Sequence, residues 1–361
     1  MERSISLIAF AGMLTAWGMS GCAKPGDEDL LRLTRRSSHL YLVSGACYGG
    51  TASVASGSST VARYSMFTGT FQDVVWDYAT ESPGDVPVGI AELNEDELLV
   101  TVHSSWGNRI DRVAKDGSSA TPWLANAAYL TGDFHAFSLM ADGSPILTRG
   151  NVGGVVEKLT TAGARLAPTG LSNKAFVEGP VGAGGCGATT TLSRVTGAVA
   201  LDDGKLILTN AGNSPNNRLL MVSATGYGAS ANCLAATQVG ASASSNPTAL
   251  LLHSSGKVVV ASAGTLGANN YLHTYDVDPA SPAFTQGTRA YQDPAVVNGV
   301  TALAESPVSG EILVANGQQD LNTIEKFSFD PTTRTATRVG AQPFIPASVF
   351  TRCVSGMIVG Y

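Results

Sequence analysis

The chain has 361 residues, enough for one large domain or two ordinary ones with a substantial core. With 44% hydrophobic and 14% charged residues it is too apolar to remain disordered, and its 41 glycines point to short strands and many turns. A net charge of −6, with no basic cluster beyond Arg32, Arg35 and Arg36, argues against nucleic acid as a partner.

The chain opens on MERSISLIAFAGMLTAWGMSGCAKPGDEDL. Arg3 supplies a minimal positive n-region, Ile5 to Met19 an apolar h-region, and Ser20-Gly21 the small residues needed near a signal cleavage site. The run is too short for a transmembrane helix, which needs about 20 apolar residues. Its end, Gly21-Cys22, resembles the lipobox of bacterial lipoproteins, with Met19 where Leu is usual and Glu2 as an acidic intruder in the n-region. The resemblance implies that residues 1–21 are removed, that Cys22 is lipidated, and that 22–38 form a polar tether. Several acyl chains at about 0.8 kcal/mol per buried CH₂ hold a protein durably to a membrane. Ala23 rather than Asp after the cysteine implies, by the same resemblance, the outer membrane of the cell envelope.

From residue 39 onward a two-part unit recurs. Its first part is a hairpin: GIAELNEDELLVTV (89–102), AFSLMADGSPILTRG (136–150), GAVALDDGKLILTNAG (197–212), TALLLHSSGKVVVASAG (248–264) and TALAESPVSGEILVANG (301–317). Tight turns fall near 96, 143, 204, 256 and 310, and a weaker copy, SVFTRCVSGMIVGY (348–361), places a sixth near 356. Its second part is a half-buried strand closed by a turn, as in NRIDRVAKDG (108–117), GVVEKLTTAG (154–163), NRLLMVSATG (217–226), NYLHTYDVDP (270–279) and NTIEKFSFDP (322–331). STVARYSMFTG (59–69) matches it near the start, and less regular fourth strands follow, such as TFQDVVW (70–76).

Four strands recurring at roughly fifty residues is the signature of a β-propeller blade. The expected fold is therefore all-β: one propeller of four-stranded blades over 39–361. Six blades are the economical count, with Ser348 to Cys353 supplying the innermost strand of the blade begun at His39. Reading residues 30–43 as a further hairpin leaves seven open. The repeat resembles the six-bladed propellers of the NHL and SMP-30 kind in architecture, without a motif that selects one family.

In a propeller, ligands usually sit at a channel mouth, where first strands begin and second strands end. Aligned on the hairpin turns, the entry positions read Val88, His135, Thr196, Thr248, Thr301 and Ser348, and the exit positions Ser44, Val102, Arg149, Asn210, Ser262 and Asn316. Most are small hydroxyl or amide residues, able to satisfy one another around a ring. Blade three departs with His135 and Arg149, and His103 lies one residue past the exit of blade two. His135, Arg149, Asn210 and Asn316 are thus the candidate ligand-binding residues, and His135, His103 and Arg149 the candidate catalytic set, a general base beside an anion clamp.

The resemblance to gluconolactonase-type propellers would imply a divalent cation held by Glu, Asn and Asp. Here the ring offers Asn210 and Asn316, with only Asp133 and Asn298 near strand entries, a poor set for a cation that wants about six oxygens. No metal or cofactor is expected. GAGGCG (182–187) fits a dinucleotide fingerprint on spacing alone, without the strand and helix that such a site needs. Cys47, Cys186, Cys233 and Cys353 are wide apart and suit two disulfides in an exported protein, with three pairings open. The functional expectation is an anchored module that binds a protein, peptide or glycan partner. The alternative is a lactonase-like propeller hydrolase or lyase.

Overall fold

The structure, a computed structural model, describes residues 38–45, 59–104, 107–125, 130, 134–149, 154–166, 175–178, 192–212, 217–225, 233–240, 246–263, 270–307, 309–318, 321–350 and 352–360. Cys22, Cys47 and Cys186 lie outside these residues. Ser38–Tyr361 is one compact unit of six antiparallel sheets.

Blade 1 combines β1 (His39–Ser44), β2 (Thr60–Ser65) and β3 (Phe71–Asp77) with the last strand, β25 (Val354–Gly360), in the order β25-β1-β2-β3. Blade 2 holds β4 (Val86–Glu92), β5 (Glu97–His103), β6 (Arg109–Ala114) and β7 (Ala120–Ala125). Blade 3 holds β8 (Phe134–Leu139), β9 (Pro145–Arg149) and β10 (Val155–Leu159), whose outer edge is shared by β11 (Arg165–Leu166) and β12 (Val177–Glu178). Blade 4 holds β13 (Arg194–Ala200), β14 (Leu206–Ala211), β15 (Arg218–Val222) and β16 (Cys233–Gln238). Blade 5 holds β17 (Asn246–Leu252), β18 (Lys257–Ala263), β19 (Tyr271–Asp278) and β20 (Ala283–Tyr291). Blade 6 holds β21 (Val300–Glu305), β22 (Ile312–Gln318), β23 (Leu321–Asp330) and β24 (Thr335–Arg338). The fold is the expected six-bladed propeller; its one described α-helix is the single turn α1 (Tyr78–Glu81).

Second strands such as KVVVASA are β-branched and buried on both faces, because each packs between two neighbouring blades. The hairpin turns follow from local chemistry. Gly143 and Gly204 adopt φ of 78° and 81°, which an L side chain resists, while Asp142 and Asp203 Oδ1 accept the N–H groups of Ser144 and Lys205 at 2.9 and 3.1 Å.

The ring closes by pairing the two ends of the propeller sequence, His39 with Gly360 and Leu42 with Met357. The closing strand lies further along than Ser348 to Cys353, however. Ala347–Val349 is a short 3-10 turn after Pro346, and the Ser-Gly at 355–356 is inside β25 rather than in a sixth hairpin. Gly356 is needed there: a Cβ would come within 3.0 Å of the Val88 carbonyl on the next blade's inner strand.

Candidate functional site

All six inner strands contain the same irregularity. Pairing slips between Pro87 and Gly89, Phe134 and Phe137, Val195 and Gly197, Pro247 and Ala249, Val300 and Ala302, and around Ser355 in β25. The bulged residues are Val88, His135, Thr196, Thr248, Thr301 and Ser355, each followed by Gly or Ala, so five of the sequence-aligned entry positions coincide with bulges. Ser348 does not, and Ser355 takes its place for the reason just given.

The bulges set one mouth of a central channel of about 320 Å³, lined by inner strands of all six blades. Of the bulged residues, His135, Thr196, Thr301 and Ser355 line it. Three hydroxyls stitch neighbouring blades together: Thr196 Oγ1 donates to Pro247 O at 2.8 Å, Thr301 Oγ1 to Val354 O at 2.7 Å, and Ser355 Oγ to Pro87 O at 3.1 Å. Most of the remaining wall is Gly, Ala and aliphatic side chain, with Glu92 at the far end engaged by Lys115.

The exit positions are also equivalent. Ser44, Val102, Arg149, Asn210, Ser262 and Asn316 each pair with the residue just before a bulge. The polar atoms of Arg149, Asn210, Ser262 and Asn316 are used within their own blades, however. Asn210 Oδ1 accepts the N–H groups of Ser193 and Arg194 at 2.9 and 3.3 Å. Asn316 accepts from Asn298 N–H at 3.0 Å and donates to Val296 O and Thr323 Oγ1 at 2.8 and 3.0 Å. Both asparagines are fully buried, pinning the chain as it enters the inner strand.

Register places Arg149 opposite Phe134, next to His135, but the guanidinium turns outward along its own blade. Its Nη2 donates to Glu157 Oε1 at 2.7 Å, and Arg165 grips the same fully buried carboxylate from the other side at 2.7 and 2.9 Å. His103 is held equally firmly. Its Nε2 accepts the Phe134 N–H at 3.1 Å, which leaves the ring proton on Nδ1, donated to Asn108 Oδ1 at 3.0 Å. His103, His135 and Arg149 thus gather around the start of β8, and only His135 among them lines the channel.

A second set of positions escaped the sequence reading. Asp111, Glu157 and Glu325 occupy the same place in the third strands of blades 2, 3 and 6, all buried, each beside arginine: Arg109, Arg149 with Arg165, and Arg338. The acid was visible in the repeated NRIDRV, GVVEKL and NTIEKF; what hid it was reading these strands only for their alternation. Burial pushes the Glu325 carboxyl up, and Arg338 counters part of the rise. In blade 5 the position is His273, buried beside Ser262 Oγ at 3.2 Å and pulled down to about 4 by burial and then by the Arg289 charge.

Among the described residues no three His, Cys, Asp or Glu side chains converge as a metal cage, and no helix is long and apolar enough to cross a membrane. Cys233 and Cys353 are both buried.

The fold recurs in solved structures. A protein of unknown function from Bacteroides caccae superposes with a TM-score of 0.52 at 13% identity, over 90% of this chain and 99% of its own. TolB from Acinetobacter baumannii gives 0.54 at 10% identity, over 90% and 66%. The PQQ-bound aldose sugar dehydrogenase of Streptomyces coelicolor gives 0.50 at 12%, over 78% and 93%. At these identities the likeness defines the class of protein, a six-bladed β-propeller, and nothing narrower. No family model matches the chain. No curated protein matches it either.

Proposed function

We propose that the protein is an envelope lipoprotein, anchored through Cys22 to the outer membrane, whose propeller binds a protein, peptide or glycan partner. One observation carries the choice of binding over catalysis. The polar groups of the expected reactive set are committed to the fold: Arg149 to Glu157, His103 to Phe134 and Asn108, and Asn210 and Asn316 to the backbone at strand entries. A reaction needs a base, its orienting partner and charge stabilisation within reach of one substrate. The channel wall presents His135 among hydroxyl, small and aliphatic side chains, which suits recognition at a rim.

Two disulfides among Cys47, Cys186, Cys233 and Cys353 belong to the same reading of an exported protein. Gly45 N–H donates to the Cys353 carbonyl at 3.0 Å, so Cys47 follows two residues after a residue joined to Cys353. Of the three pairings this hydrogen bond favours the one that joins Cys47 to Cys353, and peptide mapping without reductant decides among them.

The functional test uses the full-length protein and its His135→Ala variant on peptide and glycan arrays, with lactone and ester substrates alongside. Saturable binding without turnover is the expected result. Turnover by the parent that His135→Ala abolishes overturns the binding reading in favour of a propeller hydrolase.

A further inference from the structure

Among the described residues, the large apolar side chains left exposed are Phe67 (63%), Phe71 (53%), Val74 (48%), Val349 (41%) and Val339 (37%). Three of them share one blade: Phe67 lies in the turn between β2 and β3, and Phe71 and Val74 lie on β3, the outer edge of blade 1. Val349 sits on the 3-10 turn that precedes the closing strand. The tip and this connector are in contact. Phe71 and Phe350 lie 5.6 and 6.0 Å from the same Tyr64 ring, and a Cβ on Gly69, whose φ is 69°, would meet the Phe344 carbonyl at 2.5 Å. Isolated exposed apolar residues need no explanation, whereas a contiguous patch marks a contact surface. The run Met66-Phe67-Thr68-Gly69-Thr70-Phe71-Gln72 also carries no charge, so an apolar neighbour would desolvate no ionised group of the tip.

The chain enters the propeller at this same tip. His39, the first residue of β1, pairs with Ser65, the last of β2, and its Nδ1 is hydrogen-bonded to Gln72 Oε1 at 2.8 Å, beside Phe71. The segment from Cys22 therefore joins the fold about one strand spacing, ~4.8 Å, from the β2–β3 turn. The 15 residues between Cys22 and Ser38 reach roughly 55 Å at full extension, so a lipid on Cys22 keeps the tip within reach of the bilayer that holds it. Tethering converts a weak contact into an intramolecular one.

We propose that the Phe67–Phe71 tip of blade 1 docks into the interfacial layer of the bilayer that anchors Cys22. The inference rests on the lipoprotein reading above and adds an orientation to it. Phenylalanine side chains bury at the boundary between headgroups and acyl chains, and acyl anchoring characteristically works with a second membrane contact. The β2–β3 turn lies at the strand ends opposite the bulges, so docking turns the rim that carries His103, His135 and Arg149 away from the membrane.

The test uses full-length lipoprotein carrying Phe67→Trp, reconstituted in phosphatidylethanolamine and phosphatidylglycerol vesicles with or without brominated acyl chains. Mass spectrometry of the mature N-terminus is read on the same sample. Expected is a lipidated Cys22 together with loss of tryptophan emission to bromolipid beyond that of the unaltered protein. A lipidated terminus without that extra quenching overturns the docking and leaves the anchor standing. An unmodified terminus overturns the anchor and the docking with it. Hydrogen exchange on the unaltered protein gives an independent measure: slower exchange over residues 64–74 in vesicles than in detergent supports docking. Equal protection in detergent that grows with protein concentration overturns it, assigning the patch to a second copy.

Discussion

Blades 3 and 6 place a buried glutamate at the same point of the third strand and neutralise it differently. In blade 6, Arg338 from the fourth strand reaches Glu325, leaving the exit position to Asn316, which pins the strand entry. In blade 3 the exit position itself is Arg149, and it joins Arg165 in clasping Glu157. One repeat thus uses its rim residue to hold the backbone and the other to hold a charge. The unusual residue at a repeated position is here explained by its neighbour in the next strand, before any ligand is invoked.

The comparison breaks most sharply at Glu157. Glu157→Gln leaves two arginines without a buried counter-charge, and urea unfolding should register a loss of about 3–5 kcal/mol. Glu325→Gln abandons one partly exposed arginine and should cost clearly less; equal losses would refute the distinction between the blades.

Blade 5 sharpens it, because His273 occupies the place of the glutamates. Its folded pKa of about 4 lies below the unfolded value of 6.5, so the folded state prefers the neutral ring. Stability is therefore full above pH 6.5 and declines as pH falls toward 4, by roughly 3 kcal/mol if this group acts alone. His273→Leu, the residue type that Leu220 supplies in blade 4, should flatten that slope in denaturant titrations at several pH values.

A smaller effect separates the two exit residues. Asn316→Ala strands the Asn298 N–H and the Val296 carbonyl, for an expected loss of about 1–3 kcal/mol and faster amide exchange at Asn298. The smallest concerns the hydroxyl stitches: Thr301→Val removes one bond between blades 6 and 1 and should cost about 1 kcal/mol by thermal or urea unfolding.

How much of this was legible beforehand differs by level. Five first hairpins, the third-strand positions and all six exit positions could be aligned from the sequence, because turn chemistry and β alternation act over a few residues. The dipeptides Val-Gly, His-Ala, Thr-Gly, Thr-Ala, Thr-Ala and Ser-Gly at the bulges formed a repeat as well. Ser355-Gly356 was misread as a turn because Ser-Gly is a common turn pair when taken alone. Its small size answers instead to the Val88 carbonyl of the neighbouring blade. The direction of Arg149 was beyond such reading: a position at the mouth does not state which way a long side chain turns.

By itself the sequence determined the four-stranded repeat, five of its six entry positions and all six exit positions, since these follow from local periodicity; the choice of six blades over seven and the closing strand Val354–Gly360 came with the tertiary structure. Only the tertiary structure decided where each polar side chain is used. A buried charge or amide is placed by the partner that lowers its desolvation cost, and that partner comes from another strand or another blade.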